Sequence, residues 1–128
     1  MVPIRPKRNS KILFIDDENV VIKILQRILE KDGHLVSQAG SGNEGVQVIK
    51  NNGNFDVIFV DLILPDCSGI NLAKRIKDLE PQAKIILLTG WVDRFDKSNM
   101  RAHSISDILF KPFEVNRVLK VVRNVVID

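Results

Sequence analysis

Five short apolar runs, each closed by polar or charged residues and separated by stretches long enough for a helix, constrain this chain more than any other feature. They are Lys11–Ile15 (KILFI), closed by Asp16, Asp17 and Glu18; His34–Ala39; Asp56–Val60 (DVIFV), ending at Asp61; Lys84–Leu88 (KIILL), ending at Thr89; and Ile108–Phe110, ending at Lys111–Pro112. Runs that lack polar alternation read as strands buried on both faces. Between them the apolar period changes to that of a helix. Val21, Ile24, Leu25 and Ile28 mark a helix from Asn19 to Lys31, with Gly33 as its stop. Val46 and Ile49 face inward from a helix over Gly42–Asn51, and Ser68 caps one whose inner face is Leu72, Ala73, Ile76 and Leu79. A fourth helix over Asp93–His103 is weakly amphipathic, with Phe95, Met100 and Ala102 as its apolar residues. Val115, Val118, Leu119, Val122 and Val126 give the last helix the cleanest period. Strands alternating with helices predict a parallel sheet covered on both faces, because parallel strands need crossover connections.

Composition removes other classes. A chain of 128 residues suits one domain, and 45% hydrophobic with 27% charged residues is a globular mixture. No stretch approaches the ~20 apolar residues of a membrane helix, so no membrane association is expected. The basic N-terminus lacks the apolar segment of a secretory signal. A single cysteine, Cys67, cannot pair internally and fits a cytoplasmic location; with only His34 and His103 besides, the composition speaks against a zinc cage of nitrogen and sulfur ligands, so any metal here must be held by carboxylates. Four of the 19 basic residues, Arg5, Lys7, Arg8 and Lys11, fall in the first eleven positions, so the net charge of +3 reports the tail. Residues 1–10 are expected to be a flexible basic leader and 11–128 the domain. The near-neutral body has no basic stripe interleaved with aromatics, which speaks against nucleic acid as its partner.

In an open parallel sheet, ligands bind beyond the carboxyl ends of the strands. Asp16 and Asp17 end the first run, Asp61 the third, Thr89 the fourth and Lys111 the fifth, so these side chains are expected to meet at one edge. Three close carboxylates repel one another and need a cation. Oxygen ligands suit Mg²⁺, which binds one or two carboxylates together with a phosphate. A carboxylate is also a nucleophile able to form an aspartyl phosphate, whose oxygens a lysine and a threonine would contact.

Asp16–Asp17, the run DLILPDCSG (Asp61 to Gly69), LLTG ending at Thr89–Gly90, and FKPF around Lys111 resemble, in order and spacing, the receiver domain of two-component response regulators. The resemblance covers Lys11 to Asp128. It implies a flavodoxin-like, doubly wound α/β fold with a five-stranded parallel sheet in the order 2-1-3-4-5 and five helices. It implies Asp61 as phosphoacceptor, with Mg²⁺ held directly by Asp17, Asp61 and the Ile63 backbone carbonyl, and by Asp16 largely through water. Thr89 would be the switch hydroxyl, Lys111 the phosphate-binding ammonium, and the Lys111–Pro112 bond cis. A sensor histidine kinase or phosphotransfer protein would supply the phosphoryl group. The face of the fourth helix, fifth strand and last helix would meet a downstream output protein or domain, or a second copy in a homodimer. Such a module signals; it is not an enzyme acting on a separate substrate.

One position departs from the pattern. Ile108 stands three residues before the motif lysine, where receivers usually carry a Tyr, Phe or His that swings between exposed and buried states. Trp91, two residues past Thr89, is placed by the resemblance near the site mouth and reads equally well as an ordinary half-buried aromatic, whereas Cys67 reads as a bystander thiol. Gly40–Gly45 matches the dinucleotide pattern G-x-G-x-x-G, with Asp61 sixteen residues beyond, but it follows the second strand rather than the first. The alternative to a phosphoacceptor is a protein-binding module that works without phosphorylation; it should have lost an acid or Lys111, and both are retained. An aspartyl-phosphate phosphatase would need an acid where Ile63 stands.

Overall fold

The computed structural model describes residues 10–90 and 104–127, with side chains to residue 124. The expected helix over Asp93–His103, Trp91 and the leader up to residue 9 lie outside the described residues. Chain order is β1 (Lys11–Ile15), α1 (Asn19–Lys31), β2 (Leu35–Ala39), α2 (Gly42–Asn52), β3 (Val57–Asp61), α3 (Gly69–Leu79), β4 (Lys84–Thr89), β5 (Asp107–Phe110) and α4 (Val115–Ile127). All strand pairs are parallel and the sheet order is β2-β1-β3-β4-β5, as expected.

Because Ile12–Ile15 of β1 and Val57–Val60 of β3 are apolar without interruption, each strand supplies side chains to two cores. Leu13, Ile15, Ile58 and Val60 pack with Val46 and Ile49 of α2 and Leu72, Ala73 and Ile76 of α3. Ile12, Phe14, Val57 and Phe59 point the other way, toward Ile22, Leu25 and Leu29 of α1 and Val118, Val121 and Val122 of α4. Phe14 and Phe59 stack across neighbouring strands with ring centroids 4.5 Å apart. Each fully buried side chain of this size contributes about 1.5–3 kcal/mol, so these central strands form the most stable part of the fold.

Several helix faces differ from expectation. In α1 the buried residues are Ile22, Leu25 and Leu29, while Val21 and Ile24 are exposed and Ile28 is half-buried. Two apolar stripes overlap on this helix at Leu25, and the one buried is that which packs with Phe14 and Phe59 of the sheet and Val118 and Val122 of α4. Leu79, at the last turn of α3, is exposed, and Val115 of α4 is too. Both lie at helix ends, Leu79 as the last residue of α3 and Val115 as the first of α4. The strand from His34 starts at Leu35 instead; His34 is buried beside it, and its Nδ1 accepts the Ser10 backbone N–H at 3.1 Å. Gly33 ends α1 with φ 93°, a left-handed conformation that glycine adopts without strain.

The strand register sets the functional edge. Ile15 lies opposite both Ala39 and Val60, Asp61 opposite Leu88, and Thr89 opposite Phe110. Asp16 therefore leaves β1 level with Asp61, and Lys111 leaves β5 one step beyond Thr89.

Candidate functional site

Asp61, the last residue of β3, is almost entirely buried and both of its oxygens are engaged. Oδ2 accepts the Lys111 ammonium at 2.9 Å and Oδ1 accepts the Ile63 backbone N–H at 3.1 Å. Lys111 Nζ also lies 3.0 Å from Asp16 Oδ2 and 3.2 Å from Glu18 Oε1. Asp16 is fully buried; its Oδ1 accepts the Glu18 backbone N–H at 2.9 Å, which starts the turn into α1. Asp17 is exposed at the mouth, and ligand atoms of Asp16, Asp17 and Asp61 lie within 4.8 Å of one another.

One ammonium thus serves three carboxylates. Burial raises the pKa of Asp61, and the charge of Asp16 adds to the rise; the Lys111 and Ile63 hydrogen bonds oppose it without cancelling it. For Lys111, burial works against the charged form, but Asp61 and Asp16 outweigh it and hold the ammonium above its ordinary range. The acid cluster is under-compensated and receptive to a further cation. Asp16 Oδ2 is the clearest sign, being buried, without an aligned hydrogen bond, and balanced among the described residues by the charge of Lys111 alone. The donor set is all oxygen, which fits Mg²⁺.

Thr89 ends β4 and is buried, and its carbonyl accepts the Lys111 backbone N–H at 2.8 Å, tying the ends of β4 and β5 together. The Lys111–Pro112 peptide is cis. Ile63 exposes its side chain at the mouth while its backbone turns to Asp61. Ile108 is buried in the core with Ile58 and Leu87, as a fixed part of the packing. Sequence reasoning missed the role of Glu18. It stands third in the acidic run, and nothing in one dimension distinguishes a helix-start acid from one that reaches Lys111, 93 residues away.

The glycine pattern has a different explanation. The first free N–H groups of α2 are already taken: Gly42 N donates to Asp66 Oδ1 at 2.8 Å, Asn43 N to Asp66 Oδ2 at 2.9 Å and Glu44 N to Ser41 Oγ at 3.2 Å. A pyrophosphate would find these donors occupied. Gly45 is small because a Cβ there would lie 2.5 Å from Ile15 Cδ1. Cys67 is half-buried, and burial followed by the Asp66 charge raises its thiol pKa, so it is held in the unreactive form.

Gly69 opens α3 directly against the end of β3. Its N–H donates to Leu62 O at 2.8 Å, and a Cβ would lie 2.1 Å from Asp61 O. Backbone cannot give way there. Gly69→Ala is therefore expected to cost about 3 kcal/mol, the upper end for overpacking, lowering Tm by roughly 10 °C. A thermal melt within about 2 °C of wild type would mean α3 can slide off the strand end.

The family model described as the response regulator receiver domain matches residues 12–123. The transcriptional regulatory protein DltR of Streptococcus agalactiae is 30% identical over 113 residues, which is 88% of this chain and 50% of that protein. The chain thus spans about half the length of the curated relatives it matches. A two-component response regulator from Clostridium difficile superposes with TM-score 0.83 at 28% identity, covering 92% of this chain and 96% of that one. A response regulator protein from Burkholderia pseudomallei, crystallised with a phosphorylated aspartic acid, calcium ion and citrate, gives TM-score 0.78 at 32% identity, covering 87% and 65%.

Proposed function

The chain belongs to the response regulator receiver domain family of two-component systems, and from that premise we propose that Asp61 accepts a phosphoryl group from the phosphohistidine of a sensor histidine kinase or phosphotransfer protein. The observation that carries the reading is the Lys111 ammonium at 2.9 Å on Asp61 Oδ2, with Asp16 and Asp17 beside it. The phosphorylated aspartic acid of the Burkholderia pseudomallei regulator supports it. A carboxylate oxygen of Asp61 attacks phosphorus, the P–N bond breaks, and the donor imidazole leaves with the bond's electron pair and takes up a proton. Lys111 moves its charge from the carboxylate to the incoming phosphoryl oxygens, and Thr89 donates a hydrogen bond to one of them. Mg²⁺, held by Asp17, Asp61 and the Ile63 carbonyl, with Asp16 acting through water, would supply the remaining neutralisation of phosphoryl charge.

The output is carried by the face that includes β5 and α4, contacting a further protein or domain, or a second copy in a homodimer. No contact with nucleic acid by this domain is part of the reading. Retention of every acid and of Lys111 weighs against a phosphorylation-independent module. No helix among the described residues is long and apolar enough to cross a membrane. We place this signalling in the cytoplasm, where a lone thiol stays reduced.

The metal part of the reading is tested with Asp17→Ala. Following amide resonances during a Mg²⁺ titration, the variant should bind about tenfold or more weakly, since a direct ligand is lost where even supporting partners cost 10–100-fold. Equal affinity in the two proteins would place the metal elsewhere.

A further inference from the structure

Asp66 makes none of the contacts to Lys111 or the acids described above, yet both of its carboxylate oxygens are engaged. They accept the backbone N–H groups of Gly42 and Asn43, at 2.8 and 2.9 Å, from a residue 23 to 24 positions away on the loop between β3 and α3. The loop's other bonds are local or at its stems: Leu64 N to Cys67 O at 3.1 Å, Gly69 N to Leu62 O at 2.8 Å and Leu62 N to Leu88 O at 2.8 Å. Among the described residues, Asp66 gives the hydrogen bonds that tie the tip of this loop to a neighbouring element. Gly42 makes that approach possible, since a Cβ there would lie 2.4 Å from Cys67 Sγ and 3.3 Å from Asp66 Oδ1. Helix α2 also has a cap of its own, since Ser41 Oγ accepts the Glu44 N–H independently of the loop.

The tethered loop also carries Ile63, three residues before Asp66, whose N–H orients Asp61 Oδ1 at 3.1 Å. We propose that Asp66 is a positioning residue for the phosphoacceptor site: by clamping the tip of the loop over residues 62–68 to the first turn of α2, it holds the Ile63 backbone on Asp61 and at the mouth of the acidic cluster. The inference rests on the reading of that cluster as the Mg²⁺ and phosphoryl site. The two N–H bonds keep the Asp66 carboxyl below its ordinary pKa, so the clamp is ionised at neutral pH. A loop freed at its tip would let Ile63 drift, and sites of this kind lose affinity steeply when a supporting partner goes.

The test compares Asp66→Ala, Asp66→Asn and Ser41→Ala by Mg²⁺ titration followed by amide resonances, by phosphorylation rate with acetyl phosphate at saturating Mg²⁺, and by thermal melts. Asp66→Ala should bind Mg²⁺ about tenfold more weakly and react more slowly even when saturated. Asp66→Asn keeps an acceptor oxygen but no charge and should recover most of both losses. Ser41→Ala weakens the same helix start without touching the loop; its melt should fall while Mg²⁺ affinity stays within about twofold. Asp66→Asn as weak as Asp66→Ala would reduce the effect to charge, and a parallel loss in Ser41→Ala would reduce it to helix stability. Mg²⁺ affinity of Asp66→Ala within about twofold of wild type overturns the proposal outright. Asp17→Ala separates the two levels: if it weakens Mg²⁺ while Asp66→Ala does not, only the clamp fails, and if neither does, the metal reading fails and the clamp with it.

Discussion

Asp61→Asn will take up no phosphoryl group from acetyl phosphate and Mg²⁺, where intact-mass measurement of wild type will show one adduct. An amide oxygen lacks the charge and nucleophilicity of a carboxylate, so the loss should be complete. A phosphoryl adduct that survives in the variant would move the acceptor to another residue. The same substitution should raise Tm by roughly 3 °C in EDTA, because it removes one of three crowded acids and leaves Lys111 to Asp16 and Glu18. The pH dependence has a definite sign. Burial raises the Asp61 pKa in the folded state, so the fold favours its protonated form, and metal-free wild type loses that contribution as pH climbs from the ordinary 3.8 through the raised value. The advantage of the Asn variant should therefore grow over that interval and then level off. A constant difference across the titration would mean Asp61 is not the strained member of the cluster.

Lys111→Ala should lower stability by about 3 kcal/mol, the size expected when buried acids lose the cation that, among the described residues, lies closest to them. At low salt in EDTA this is a drop of roughly 10 °C in Tm. Lys111 approaches Asp16, Glu18 and Asp61 at 2.9 to 3.2 Å, and Asp16 has no exposure to water that could substitute. The folded state holds the ammonium above its ordinary pKa of 10.5, so its stabilising effect is complete at neutral pH and fades only as pH rises beyond that value. Adding Mg²⁺ should return part of the lost stability, because it supplies positive charge to the same oxygens. Phosphorylation should slow by about 10²-fold, the usual consequence of removing one preorganised contact to a charged oxygen in the transition state. An unchanged melt would mean that the acids find enough neutralisation in water, contrary to the burial of Asp16.

The alternation of apolar runs with helical periods was enough to read the parallel sheet and the two layers around it, because runs such as Asp56–Val60 cannot be half-solvated. The strand ends were equally legible, and with them the edge where Asp16, Asp17, Asp61, Thr89 and Lys111 collect, since a parallel sheet places every carboxyl end on the same side. Strand order came from the resemblance rather than from the residues; topology is invisible to a local period, which reports what a segment buries and not which segment lies beside it.

Tertiary structure alone decided the rest. Which stripe of α1 turns inward depends on how the helix lies on the sheet, and Ile22, Leu25 and Leu29 are buried where the period alone also allowed Val21, Ile24 and Ile28. Glu18 joins the site because the register of β5 brings Lys111 within 3.2 Å of it. The glycines of Gly40–Gly45 have their reason in neighbours far along the chain: Ile15 beneath Gly45 and Cys67 against Gly42. Asp66 reads as an ordinary loop acid until two N–H groups of α2 are found on its carboxylate. Periodicity is written in nearest neighbours along the chain and can be read there. Charge balance and clearance are set by atoms that meet only after the strands have paired, so they belong to the folded molecule.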